Sequence, residues 1–409
     1  MASILPLSRP RQVADSTRPS AAHERPDGTV RPIGVFVHHQ GKGHAKRCEA
    51  ILCHVADRPV TVFTADPSII TIRQPNVSVI GLPEMIARPS RTGALHGQLA
   101  PHTLHCAPVG VREMTEHMGI IAQWMVENDP ALMLIDVSAE IATLCRIMSV
   151  PVVQTRMHGD RGDAGHVGAY ECCVGMLAPF DERIEQPDYP AHLRARTFYS
   201  GGLCTTTAPV PSRAEARAAL GLPEDGEIVL ALSGGGGSGT PLAPLTMAAR
   251  ARTDALWLIA GPVAREGHET EFHNLRELGW VPNPIDYVAA ADLVIASAGD
   301  NTVHEIARVG RPFLCIPEWR YFDEQRCKAE QLARLGAAAV LPGWPASTAQ
   351  WLDAMAAARR CDLDMQRALF DADAGEAAAR WLLGLADELW REAAVETPAD
   401  AAPPTAAKA

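Results

Sequence analysis

The stretch that decides the fold runs from Leu278 to Leu335 and reads LGWVPNPIDYVAAADLVIASAGDNTVHEIARVGRPFLCIPEWRYFDEQRCKAEQLARL. A turn and short helix come first, followed by an apolar run at 292–296 and a second at 312–317. Each run is short, rich in aliphatic residues and followed by a segment with helical periodicity, the first helix starting near Asn301 and the second at Asp323. This alternation predicts a βαβα unit, which is the building block of a parallel sheet covered by helices.

The turn after the first strand, Ser297-Ala298-Gly299, leads into a helix whose first N–H groups have no partner within the helix. Those groups and the positive end of the helix dipole favour an anion, most simply a diphosphate. Glu305 lies one turn further along, on the face of Asn301 and Thr302, where its carboxylate could accept both hydroxyls of a ribose. Glu324 and Gln325 offer a carboxylate and an amide to a sugar ring at the start of the next helix.

An alternative interpretation makes Asn301 and Asp323 helix caps and Glu305 a solvated surface residue. For each residue alone that alternative is the simpler one. The combination of all of them at this spacing favours a nucleotide-sugar site.

Gly299, Asn301, Thr302 and Glu305, followed by Glu324-Gln325 and Ala329, resemble the nucleotide-sugar signature of glycosyltransferases with two facing Rossmann-like domains, the GT-B fold. The pattern is most similar to glycosyltransferase family 28, which is typified by the N-acetylglucosaminyl transferase that completes lipid II. The resemblance implies that residues 299–302 hold the diphosphate, Glu305 the ribose, and Glu324 with Gln325 the donor sugar.

By the same resemblance, the backbone of Val281 reads the uracil of a UDP-N-acetylglucosamine-like donor. The acceptor is a hydroxyl compound. The sequence does not tell whether it is a small molecule, a glycan or a lipid-linked compound. Two positions depart from the family pattern. Ala298 stands where a hydroxyl residue is common, and Lys328 stands where asparagine is usual.

Composition sets further limits. The chain has 409 residues, of which 47% are hydrophobic, enough to fill the cores of two domains. The formal net charge of −11 disfavours a general binder of nucleic acid or of anionic membranes. No apolar run reaches the length of a membrane span, and the ten cysteines form no Cys-x-x-Cys pair, so the sequence predicts a cytoplasmic protein with reduced thiols and at most peripheral membrane contact.

The chain is expected to form an α/β fold of two doubly wound domains. Residues 1–30 are rich in Pro, Arg, Ser and Ala and predict a disordered extension. Residues 31–203 alternate strands and helices and are assigned to acceptor binding, residues 204–395 to nucleotide-sugar binding, and residues 396–409 to a disordered tail.

Two glycine-rich loops follow strands and are expected to line the cleft. The first contains Gly41 and Gly43 but lacks the spacing of a Walker A loop, and the second contains Gly235 and Gly236. The strand after the second loop ends in Ala260-Gly261 rather than in an acidic residue, so NAD is not expected, and no other cofactor is predicted.

Glycosyl transfer needs a base on the acceptor side of the cleft. His44, in the exit loop of the first strand, is the first candidate because of its near-neutral intrinsic pKa, with Asp136 orienting it from another strand end. Asp160 or Asp163 could replace His44 as base, and Asp136 could instead cap the helix that starts near Ser138. No convincing cluster of metal ligands is present, so the sequence predicts metal-independent chemistry. The predicted transfer is of the inverting kind.

The second interpretation keeps the fold and changes the reaction. The segment from Gly41 to Cys48 also resembles the Gly-x-Gly-His-x-x-Arg-Cys stretch of nucleotide-sugar hydrolases of pseudaminic acid synthesis, in which water replaces the acceptor. A third interpretation is a nucleotide-sugar binding protein without activity. The long, Pro-, His- and Arg-rich segment 81–108 favours transfer, because placing one water molecule needs no such acceptor-binding lid.

Overall fold

The computed structural model describes residues 28–40, 42–85, 101–203, 209–234, 237–267 and 270–391. The predicted disordered tail lies outside the described residues, as does nearly all of the predicted extension, and so do the central part of the predicted lid and the turn residues Gly41, Gly235 and Gly236.

The first sheet has seven parallel strands in the order β3-β2-β1-β4-β5-β6-β7. Its central strands are continuous apolar runs buried on both faces, as expected for parallel strands covered by helices. The strands are β1 (Ile33–Phe36), β2 (Val60–Thr64), β3 (Val77–Gly81), β4 (Leu132–Asp136), β5 (Val152–Thr155), β6 (Gly175–Ala178) and β7 (Thr197–Tyr199).

The helices that connect these strands pack on the two faces of the sheet. They are α1 (Lys42–Leu52), α2 (Arg112–Asn128), α3 (Ala139–Ile147), α4 (Ala164–Cys172) and the short α5 (Ala191–Arg194). The alternation of strands and helices predicted for residues 31–203 is observed in the described part of that range.

The second sheet has six parallel strands in the order β12-β10-β8-β13-β14-β15, with a separate pair of short strands, β9 and β11, beside it. The sheet strands are β8 (Ile228–Leu232), β10 (Leu256–Ala260), β12 (Leu275–Gly279), β13 (Leu293–Ala296), β14 (Phe313–Cys315) and β15 (Ala339–Val340), and the pair is β9 (Thr240–Pro241) with β11 (Val263–Ala264). The helices are α6 (Arg213–Ala219), α7 (Leu242–Ala251), α8 (Pro284–Ala290), α9 (Asp300–Val309), α10 (Glu324–Arg334), α11 (Thr348–Ala358), α12 (Leu363–Arg367) and α13 (Ala374–Leu389).

The last helix, α13, returns to the first sheet. Its buried residues Ala378, Leu382 and Ala386 belong to the same apolar core as Ile33 and Leu132, and the Trp390 indole N–H donates to the Ala131 carbonyl at 2.8 Å. The sequence assigned this helix to residues 204–395, so the division into domains stays a prediction and did not anticipate the return of the chain.

Strand order determines where ligands can bind. In the first sheet, β2 and β3 are added on one side of β1, and β4 and the later strands on the other side. The second sheet reverses in the same way between β8 and β13. At such switch points a crevice opens at the carboxyl ends of the strands. The loop before α1 and the end of β4 therefore meet at one crevice, and the loops after β8 and β13 meet at the other. Within the described part of the chain, no helix is long and apolar enough to cross a membrane.

Candidate active site between the two sheets

The first wall of the site is a histidine–aspartate pair at the switch point of the first sheet. His44 lies in the first turn of α1, after β1, and Asp136 ends the neighbouring strand β4. The His44 Nδ1 atom lies 2.6 Å from Asp136 Oδ2, and the Asp136 side chain is fully buried while a quarter of the His44 side chain is exposed. An Nδ1–H that donates to the carboxylate leaves Nε2 as the basic nitrogen of the ring.

The alternative role of Asp136 as a helix cap is not observed. Ser138 is the N-cap residue of α3, and its hydroxyl accepts from the Ile141 N–H at 3.3 Å. The Asp136 carboxylate instead faces His44 and Arg47, and the His38 backbone N–H donates to it at 3.4 Å.

Arg47 completes this wall. It is buried, and its Nη2 and Nε donate to Asp136 Oδ1 at 2.6 and 3.2 Å. Burial alone raises the pKa of Asp136, but the positive charge of Arg47 and the hydrogen bond with His44 outweigh burial and hold the pKa well below its usual range. Asp136 is therefore a carboxylate at neutral pH.

Arg47 also reaches the second sheet. Its Nη1 lies 3.4 Å from Oδ2 of Asp300, the first residue of α9, and Asp300 pairs on its other side with the fully buried Lys328 of α10. Burial raises the pKa of Asp300, yet Lys328 and Arg47 together hold it well below its usual range. A chain of buried charges thus runs from Asp136 through Arg47 and Asp300 to Lys328.

The second wall is the start of α9. Gly299 is its N-cap residue and makes no side-chain cap, so Asn301 and Thr302 lie in the first turn without acting as caps. Asn301 lies directly opposite Gly43, because a Cβ added to Gly43 would stand 3.7 Å from the Asn301 amide nitrogen. The helix end predicted to hold a diphosphate is therefore next to the loop that carries His44.

Glu305 is partly buried one turn further along α9, and its carboxylate makes no hydrogen bond or ion pair within the described part of the chain. Burial raises the pKa of Glu305 from 4.5 to about 7, and the nearby Arg308 opposes that rise only in part. A half-buried carboxylate without a partner is costly, which is the condition expected of a group whose partner is a ligand.

Gln325 and Glu324 occupy the start of α10. The Gln325 Oε1 accepts from the backbone N–H groups of Ala298 at 3.2 Å and Glu318 at 2.9 Å, so this amide joins the turns after β13 and β14 and leaves its NH₂ group available. Glu324 pairs with Arg161 of the first domain at 3.0 Å. Asp323 is the N-cap residue of α10 but makes no side-chain cap bond, so the capping alternative does not account for it.

Other predicted residues are less central. Val281 packs partly against the core of the second sheet beside Trp280, whose ring is 64% exposed. The Asp163 side chain caps α4 by accepting from the N–H groups of Gly165 and His166, which occupies one of its oxygens, and the Asp160 N–H donates to the Phe322 carbonyl at 2.7 Å. Asp362 caps α12, and its side chain accepts from the N–H groups of Asp364 and Met365.

Sequence reasoning did not single out Arg47. It treated Asp300 only as one member of the segment 299–302, and Lys328 only as a departure from a pattern. The available signal was that Arg47 follows His44 by three residues, which places both on one face of a helix.

Residues 261–354 match the family model of the glycosyltransferase family 28 C-terminal domain, which confirms the resemblance found in the sequence. A UDP-N-acetylglucosamine--N-acetylmuramyl-(pentapeptide) pyrophosphoryl-undecaprenol N-acetylglucosamine transferase of Azotobacter vinelandii (strain DJ / ATCC BAA-1303) is 32% identical over 182 residues. That alignment covers 41% of this chain and 48% of the relative, so the chain spans about half the length of the curated relative it matches.

Solved structures share the fold of most of this chain. The glycotransferase of kitacinnamycin superimposes with a TM-score of 0.62 at 15% identity, covering 87% of this chain and 99% of that chain. UDP-GlcNAc 2-epimerase from Neisseria meningitidis bound to UDP-GlcNAc superimposes with a TM-score of 0.55 at 12% identity, covering 87% of this chain and 100% of that chain. Two facing Rossmann-like domains, the GT-B fold, are thereby confirmed. Because an epimerase shares this fold, the fold alone does not decide the reaction.

Proposed function

We propose that this chain, whose residues 261–354 carry the family 28 C-terminal domain, is a glycosyltransferase that moves a sugar from a UDP-sugar of the UDP-N-acetylglucosamine kind to an acceptor hydroxyl. The observation that carries the proposal is the placement of the His44–Asp136 pair against the N-terminal end of α9, where Gly43 meets Asn301. This reaction needs two groups on opposite walls of one cleft: a base and a helix end that binds an anion.

On the donor side, the first N–H groups of α9 hold the diphosphate and Glu305 accepts hydrogen bonds from the ribose hydroxyls. Glu324 and the free NH₂ group of Gln325 bind the hydroxyls of the sugar ring. Val281 contributes its backbone to the base. Two observations support these roles: the Glu305 carboxylate and the Gln325 NH₂ group make no hydrogen bond within the described part of the chain.

On the acceptor side, Asp136 holds the His44 ring so that Nε2 accepts the proton of the attacking hydroxyl. The acceptor oxygen forms a bond to the anomeric carbon as the bond from that carbon to the diphosphate oxygen breaks, and UDP carries away the electron pair. One base opposite one leaving group implies a single displacement, so the anomeric configuration inverts. The N–H groups and dipole of α9 stabilise the charge that grows on the diphosphate, and the proposed reaction therefore needs no metal ion.

The acceptor is assigned to the first domain and belongs to hydroxyl compounds that include lipid-linked sugars. The curated relative is named for a lipid-linked acceptor, which supports testing that class first. A cytoplasmic reaction with peripheral membrane contact agrees with this choice.

The test separates transfer from hydrolysis. The protein is incubated with UDP-N-acetylglucosamine and related UDP-sugars, first alone and then with a lipid extract, while UDP release and new glycosides are measured. Transfer predicts slow UDP release that the extract accelerates, with a glycoside of inverted configuration. Rapid release of free sugar without any acceptor would instead show a hydrolase.

The variant His44→Ala is expected to lower turnover by roughly a hundredfold or more, the usual contribution of a positioned base. His192→Ala is the matched control, because His192 is an exposed histidine of the same domain and, among the described residues, pairs only with the surface residue Glu171. Equal losses in both variants would refute the role of His44.

A further inference from the structure

A second group of functional side chains lies at the mouth of the cleft, apart from the groups assigned above. His105 belongs to the segment before α2, Asp163 caps α4, and His166 lies in the first turn of α4. One potential ligand atom from each of the three lies within 4.8 Å of those of the other two. His105 is far from the other two in the sequence, so the three residues form no recognisable sequence motif.

The fold specifies this arrangement. Gly165 allows the segment that carries His105 to approach α4, since a Cβ at Gly165 would stand only 2.4 Å from the His105 backbone nitrogen. The His105 and His166 rings are in contact, with centroids 4.1 Å apart. The Asp163 carboxylate is fixed by the Gly165 and His166 N–H groups at 3.1 Å each, while its second oxygen faces His166 Nδ1.

The His105 ring lacks a polar partner among the described residues. It makes no hydrogen bond with any of them, and a ligand would give it a partner.

We propose that His105, Asp163 and His166 form a site for a divalent transition-metal ion, zinc in the first instance. Two imidazoles and one carboxylate suit zinc, cobalt and nickel, whereas magnesium and calcium prefer oxygen ligands throughout. Water fills the remaining position. The bound ion joins the segment around His105 to α4, next to the Phe322 ring, whose centroid lies 5.4 Å from that of His105 and 4.9 Å from that of His166.

The neighbouring cation does not oppose this site. Arg161 Nη1 lies 3.4 Å from His166 Nε2, which is a long contact, and the charge of Arg161 is balanced by its ion pair with Glu324 at 3.0 Å. The ion would fix the mouth of the cleft where both domains meet, and it takes no part in stabilising the diphosphate at α9.

The experiment uses the full chain, stripped with EDTA and then titrated with Co²⁺ without nucleotide, so that the result does not depend on the proposed reaction. Visible d–d absorption that reports nitrogen and oxygen ligands is expected, and one equivalent of Zn²⁺ should abolish it. His105→Ala should weaken binding at least about tenfold, as should Asp163→Asn.

His102→Ala is the matched control, since His102 is an exposed histidine of the same segment outside the cluster, and it should bind like the wild type. Absence of stoichiometric cobalt binding would overturn the proposal. So would thiolate-to-cobalt charge-transfer absorption, which would place the ion on a cysteine, or equal binding by His105→Ala and the wild type.

Discussion

Replacement of Glu305 by glutamine should stabilise the free protein and weaken its donor site together. The pKa of Glu305 rises from 4.5 to about 7 through burial, which corresponds to a penalty of roughly 3 kcal/mol for the charged form. A carboxyl group whose pKa is raised by folding contributes stability below its unfolded pKa and loses that contribution as pH rises through the folded value. Glu305→Gln should therefore raise the free energy of unfolding at pH 8, by up to about 3 kcal/mol, and change it little at pH 4.

The same variant should bind UDP more weakly by about 1.5 to 3 kcal/mol, because the ribose hydroxyls lose a charged acceptor. That loss is roughly a 10- to 150-fold rise in Kd. In the wild type, hydroxyl donors favour the carboxylate form, so UDP binding should release protons from Glu305 between about pH 5 and 7.

Calorimetry in two buffers of different ionisation enthalpy measures both the affinity and the protons released, and urea unfolding at pH 4 and pH 8 measures the stability change. Glu330→Gln, at an exposed glutamate of α10, is the control and should alter neither quantity. Unchanged UDP affinity in Glu305→Gln would refute the ribose assignment, and equal stability at pH 8 would refute the buried charge.

Three further outcomes test the other parts of the site. Asp136→Asn should lower turnover by roughly a hundredfold or more, while UDP affinity stays within about twofold. The reason is that an amide that donates to His44 Nδ1 places the ring proton on Nε2. Normal turnover would contradict the role of Asp136 in orienting His44. Glycosyl transfer should persist in EDTA, and a loss restored by Mg²⁺ or Mn²⁺ would show a catalytic metal at the diphosphate. Asp300→Asn should destabilise the fold by about 3 to 5 kcal/mol, because it leaves Lys328 buried without its carboxylate partner. Adding Lys328→Met should recover most of that loss, as measured by urea unfolding. A double variant no more stable than the single one would refute the pairing of Asp300 with Lys328.

Most of the fold could be predicted from the sequence because each buried parallel strand is a short apolar run, which is a local feature of the sequence. Leu132–Asp136 and Val60–Thr64 are short runs of buried residues bounded by polar turns, and such runs are recognisable without their partners. The docking of α13 was not predictable in the same way. Its alanine-rich face fits any apolar surface, and only the three-dimensional path of the chain brings Ala378 and Leu382 to the first sheet.

The residues proposed to hold the donor could be proposed from sequence because Gly299, Asn301 and Glu305 lie within two turns of one helix. Residues that meet only through folding could not. Arg47 and Asp300 come from different domains, and His105 approaches His166 only because Gly165 lacks a side chain. Lys328 attracted attention as an unusual residue, but its partner is on another helix.

The buried ion pairs of Asp136, Arg47, Asp300 and Lys328 cost free energy to remove from water, which raises the question of what they do in this site. Ion pairs removed from water seldom add stability, and apolar residues of similar size often serve a fold equally well. Here the pairs occur where a carboxylate, Asp300, stands at the positive end of α9, a position at which its negative charge would repel a diphosphate. Lys328 and Arg47 neutralise that charge from both sides. The dipole and N–H groups of α9 thus remain available to the proposed donor. Arg47, which neutralises Asp300 from one side, is also the residue that donates to the Asp136 carboxylate beside His44.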